Sequence, residues 1–103
     1  GSRPSTIIAP QALHFMNNAQ VREAAVALGA KFEKETDDEE AISLAYQTVV
    51  GRDPSPAESK SISTFMNAQA ESYKSAGRKD ARKLALVDLA QVLFGLNEFI
   101  YVN

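Results

Sequence analysis

The chain has no cysteine, no tryptophan and a single histidine, His14. Without cysteine there are no disulfides, no thiolate zinc site, no covalent haem attachment through a CxxCH motif and no cysteine nucleophile. One histidine does not make a histidine-rich metal site. A run of about 20 apolar residues, the length that crosses a bilayer, is also missing. The longest apolar stretch, Leu84 to Leu96, is interrupted by Asp88 and Gln91. The N-terminus lacks the charged, apolar, small-residue order of a signal peptide, and no Asn-x-Ser/Thr acceptor occurs. Eleven basic against thirteen acidic residues leave a formal charge of −2, which argues against a nucleic-acid partner, since that needs clustered positive charge.

What is present is helical punctuation. The 103 residues suit one domain. Gly1-Ser2 has the look of a cloning remnant, so residues 1–9 read as that pair plus an extended lead-in, and residues 10–103 as a single helical domain cut from a longer chain. Pro10 suits a first helical position, opening a short helix that stops at Asn17-Asn18. Asn18 is an N-cap for a second helix, in which Val21, Ala24, Ala25, Leu28 and Phe32 form one apolar stripe. The polar run around Glu33-Lys34-Glu35-Thr36 ends it.

Thr36 with Glu39 predicts a capping box for a third helix that buries Ile42, Ala45, Tyr46 and Val49, with Gly51 as its left-handed stop. Ser55-Pro56-Ala57-Glu58 predicts a second capping box, with proline at the first helical position. The fourth helix carries Ile62, Phe65, Met66, Gln69 and Tyr73 on one face and closes at Gly77. The fifth, from about Asp80 to Phe94, is apolar on most sides, which places it centrally. Gly95 is expected to break it before a last turn over Asn97–Tyr101. No segment alternates with period two. The expected fold is all-α, an antiparallel bundle of about five helices.

Few residues suggest chemistry. His14 lies between Leu13 and Phe15 with no carboxylate nearby, so it reads as a packed or solvent-edge residue rather than a base. Asp37-Asp38-Glu39-Glu40 open a helix and lack the central glycine of a calcium loop; they complement the helix dipole. Arg78, Lys79, Arg82 and Lys83 read as a solvated face. Ser55, Ser59, Ser61 and Ser63 have neither a positioned base nor an oxyanion hole. No catalytic, cofactor-binding or metal-binding residue is assigned.

Two segments are more distinctive. One is AYQTVVGRDPSPAE, with Tyr46, Gly51, Arg52, Pro54 and Glu58 in the pattern Tyr-x-x-x-x-Gly-Arg-x-Pro-x-x-x-Glu. The other is the ending, with Asp88, Leu89, Asn97, Glu98, Phe99, Tyr101 and Val102. Together with the opening from Pro10 to Asn18 and Val21-Arg22-Glu23-Ala24-Ala25, they resemble the C-terminal part of domain-of-unknown-function family 1553. The resemblance spans roughly residues 8–103. A weaker similarity, through Gly-Arg-x-Pro and a terminal Glu-Phe, links the chain to the helical repeats of phycobilisome-linker domains.

The resemblance implies a place at the end of a large exported or cell-envelope bacterial protein of planctomycete type. Such proteins often carry a cytochrome-c-like domain upstream. It therefore implies haem in the parent and none in this chain, with the upstream domains, and a possible protein partner, as what this chain contacts. The expected role is a non-catalytic structural or interaction module. The alternative is a redox or hydrolytic enzyme whose active site upstream domains complete. From the residues themselves, Arg52 is expected either to pair with Glu98 or to hold an anion, and Phe99 and Tyr101 to plug the core.

Overall fold

The structure, a computed structural model, describes the backbone of residues 19–102 and the side chains of residues 19–96. Over that range it is all-α, with four helices and no strand among the described residues: α1 (Ala19–Phe32), α2 (Asp38–Val49), α3 (Pro56–Ser75) and α4 (Ala81–Val102). The short helix expected over Pro10–Asn17, the Asn18 cap and His14 lie outside the described residues.

Each helix end has a local cause. In α2 the N-cap is Asp37, whose carboxylate accepts from the Glu40 N–H at 3.1 Å. The expected Thr36–Glu39 box is thus displaced by one residue, because a carboxylate at Asp37 caps the same turn and adds charge complementary to the helix dipole. Ser55 caps α3 as its sequence predicts: its hydroxyl accepts from the Glu58 N–H, and the Glu58 carboxylate accepts from the Ser55 N–H. Gly51 and Gly77 both have positive φ, 90° and 83°. At Gly77 the Arg78 N–H bonds to the Tyr73 carbonyl and the Gly77 N–H to the Lys74 carbonyl, so the last carbonyls of α3 are satisfied.

Gly95 does not break α4, which continues to Val102. A glycine inside a helix costs only about 1 kcal/mol relative to alanine. Its neighbours Phe94 and Leu96 pack on the core, and that burial carries the helix through.

The centre of the molecule is α4. Ala85, Leu86, Val87, Leu89, Ala90, Val92 and Leu93 are all buried, and α1, α2 and α3 each pack against this helix. The all-round apolar character of the segment therefore has the consequence expected of it. Ile42, Ala45, Tyr46 and Val49 of α2 and Ile62, Phe65 and Met66 of α3 complete the core, with Ala25 and Phe32 of α1. The α1 stripe differs from expectation at one point. Ala24 is exposed, and the residue that enters the contact is Gly29, where a Cβ would stand 2.4 Å from Val87 Cγ2 and 3.1 Å from Val87 Cα. The two backbones approach so closely there that only a hydrogen fits.

Candidate functional site

Two carboxylates are buried among the described residues, Glu58 and Asp88, and each is the acceptor of a polar cluster.

Glu58 is 3% exposed. Its position as the third residue of α3 turns the carboxylate back over the helix start, toward the α2–α3 turn that Gly51 creates. Arg52, next in that turn, donates Nη1 to Oε1 at 2.9 Å and Nη2 to Oε2 at 3.0 Å. The Ser55 N–H reaches Oε1 at 2.8 Å, and the Tyr46 hydroxyl reaches Oε2 at 2.8 Å. Both oxygens thus accept twice, which exhausts the acceptor capacity of an ionised carboxylate. The Arg52 guanidinium also sits 5.2 Å from the centre of the Tyr46 ring, a cation–π distance.

The electrostatics follow from this geometry. Hydrogen bonding from Arg52 outweighs burial and holds the Glu58 carboxyl down to about 2, and burial, with Glu58 as acceptor, pushes the Tyr46 phenol up to about 12. Neither group is poised to exchange a proton near neutrality. Asp53, exposed, accepts from Ser43 and Gln47, which closes the turn from its other side.

Asp88 is 1% exposed in the middle of α4. Its Oδ1 accepts from Arg22 Nη1 of α1 at 2.8 Å. Its Oδ2 accepts from Gln69 Nε2 at 2.8 Å and from the Tyr73 hydroxyl at 2.7 Å, both on α3. Gln91, almost one turn further along α4, accepts from the same Arg22 nitrogen at 2.8 Å. Burial and the bond to Asp88 raise the Tyr73 phenol above its ordinary value. A third arginine, Arg82, donates to the Asp38 carboxylate and to the backbone carbonyls of Glu33 and Glu35, fastening the α1–α2 turn to the start of α4.

Of the residues singled out by sequence, Tyr46, Gly51, Arg52 and Glu58 come together, with Pro54 half-buried in the turn between them. The guanidinium of Arg52 donates to both oxygens of Glu58 and to the Asp53 carbonyl. The capping turn brings the Glu58 carboxylate within reach only six residues away, and the expected pairing with Glu98 lies outside the described side chains. The side chains of Asn97, Glu98, Phe99 and Tyr101 lie outside the described residues. Arg22, Gln69 and Tyr73 as partners of Asp88, and Gln91 as a second acceptor for Arg22, escaped sequence reasoning. The signal was there: a carboxylate and an amide interrupt the most apolar run in the chain, and Gln69 and Tyr73 share a face with Ile62, Phe65 and Met66.

A family model described as PSD1, protein of unknown function (DUF1553), matches residues 1–66. The chain belongs to DUF1553. The DUF1553 match contains α1, α2, the first half of α3 and the whole Arg52–Glu58 cluster, whereas Asp88 and its α3 partners fall beyond it. No curated protein and no solved structure matches the DUF1553 chain significantly.

Among the described residues no group of three or more His, Asp or Glu side chains gathers as for a metal ion, and no helix is long and apolar enough to cross a membrane. Haem does not fit them either. They include neither histidine nor cysteine, and Met66, the methionine they contain, is packed in the core with 8% exposure.

Proposed function

We propose that this DUF1553 chain is a non-catalytic helical module that supports or docks neighbouring domains of a larger exported protein. One observation supports the reading. The two carboxylates buried among the described residues, Glu58 and Asp88, are each taken up by donors of this same chain. A catalytic carboxylate needs an oxygen facing substrate and an ionisation matched to its task. Glu58 has neither. Arg22, Arg52 and Arg82 likewise donate to acceptors that tie helices and turns of this chain together, and Arg78 pairs with Asp80. Export, upstream domains as partners and haem in those domains rest on the family resemblance, and haem chemistry belongs outside the described residues.

The test compares the intact parent protein with a version lacking residues 1–103, reading haem absorbance, turnover and resistance of the remaining domains to limited proteolysis. The module reading expects absorbance and the chemical step to persist while protease resistance falls. Turnover abolished by Glu58→Gln or Asp88→Asn in a parent that remains folded, as judged by circular dichroism and proteolysis, overturns it and favours an active site completed across domains.

A further inference from the structure

Helices α1 and α3 each pack on α4 and at most marginally on one another. Their polar link is a cluster centred on one carboxylate, within which Arg22 of α1 and Tyr73 of α3 also interact with each other. We propose that Asp88 is a coupling point built into the fold, through which a displacement of α1 is transmitted to α3, and the reverse, by the competing demands of Arg22 and of Gln69 and Tyr73 on a single planar group. The inference stands independently of the module's role in its parent.

The two oxygens of Asp88 divide cleanly between the helices: Oδ1 serves α1 through Arg22, and Oδ2 serves α3 through Gln69 and Tyr73. They belong to one rigid plane. Any rotation that keeps Oδ1 on a shifted Arg22 carries Oδ2 off the line of the Tyr73 hydroxyl. The side chain cannot absorb the change in solvent, because Asp88 is 1% exposed and its flanking residues Val87 and Leu89 are buried core. Compensation by water would require opening that core. Arg22 is tied to α4 a second time through Gln91, so its guanidinium follows α4 as well as α1. The outer ends of the relay are accessible: the Arg22 side chain is 40% exposed, and Tyr73 is half-buried. A partner that engages α1 beside Arg22 therefore acts on the far flank of α4 without touching it.

Amide hydrogen exchange of the 103-residue chain tests this directly. Arg22→Gln is expected to accelerate exchange at Gln69–Tyr73 in α3, and Tyr73→Phe to accelerate it at Val21–Ala25 in α1, each by about tenfold, the scale on which a hydrogen bond to a charged group shifts a local opening equilibrium. Leu28→Ala loosens α1 by packing alone and is expected to leave α3 exchange unchanged. Gln69→Leu removes a donor to Asp88 and leaves the Arg22–Tyr73 contact in place. It is expected to accelerate exchange at Val21–Ala25 as well, and it stands in for either variant should that one fail to fold. No acceleration there overturns the carboxylate as the relay. Acceleration confined to the mutated helix overturns the proposal. So does an equal effect of Leu28→Ala on α3, because loosening then spreads through packing rather than through the carboxylate.

Discussion

Arg52 and Glu58 meet as a two-pronged ion pair, Nη1 to Oε1 at 2.9 Å and Nη2 to Oε2 at 3.0 Å, across the turn that joins α2 to α3. The carboxylate is buried while about half of the arginine side chain faces solvent. Such a pair contributes far less through its cation than through keeping the buried anion satisfied.

That arrangement makes stability depend on acid. The Glu58 carboxyl is held at about 2 when folded, below the ordinary glutamate value of about 4.3. A depressed folded pKa means the contribution is fully present above the unfolded value and is lost as pH falls through the folded one. Urea unfolding between pH 6 and pH 2 should show up to about 3 kcal/mol lost between about pH 4.5 and pH 2 from this group. Glu58→Gln should start less stable at pH 6 and lack that part of the slope. An unchanged slope in the variant removes Glu58 as its source.

At the α1–α4 contact, Gly29→Ala should destabilise. Alanine gains about 1 kcal/mol in helix propensity. Its Cβ, however, would stand 2.4 Å from a β-branched methyl and 3.1 Å from backbone of Val87. Overpacking of that kind costs about 1–3 kcal/mol. Chemical denaturation should show a net loss, partly recovered by adding Val87→Ala. A more stable Gly29→Ala single variant contradicts the close approach.

Gly51 and Gly77 isolate the backbone. An added Cβ would meet nothing within 4 Å at either position, yet φ is 90° and 83°. The cost of alanine there is conformational, about 1–2 kcal/mol at each. Because the two sites lie in separate turns, the double variant should lose the sum within about 0.5 kcal/mol in thermal or chemical unfolding.

Arg82 gives a contrast between partners. Its bonds to the carbonyls of Glu33 and Glu35 satisfy backbone groups, whereas Asp38 is 70% exposed in its side chain. Arg82→Ala should lower stability by about 1–2 kcal/mol and speed amide exchange across residues 33–38. Asp38→Asn should cost no more than about 1 kcal/mol. Arg82→Lys should not restore the wild type, because an ammonium cannot span three acceptors as the planar fork does. Equal losses from Asp38→Asn and Arg82→Ala refute the backbone reading.

Local signals were legible wherever the determining atoms are close in sequence. Ser55, Pro56 and Glu58 sit within four residues, so the start of α3 could be read directly. Asp37 and Thr36 are neighbours with similar capping power, and only the folded turn decides between them. The apolar run of α4 announced its central place, but the effect of Gly95 depended on what Phe94 and Leu96 pack against, which no local rule contains. Long-range polar partners were hidden in the same way. Tyr46, Arg52 and Glu58 are close enough for their cluster to be glimpsed as a motif. Asp88 finds Arg22 across 66 residues and Gln69 across 19, and no spacing rule connects them.

The central helix is also the last of the four along the chain. During synthesis, at about 5–20 residues per second, α1 to α3 emerge before the surface they share has been made. Phe32, Ile62 and Phe65 remain largely uncovered until the segment around Leu86–Leu93 follows them out. Folding of this module is therefore set to its final stretch, and a nascent chain stalled short of Asp88 presents its apolar faces to whatever chaperone attends the ribosome.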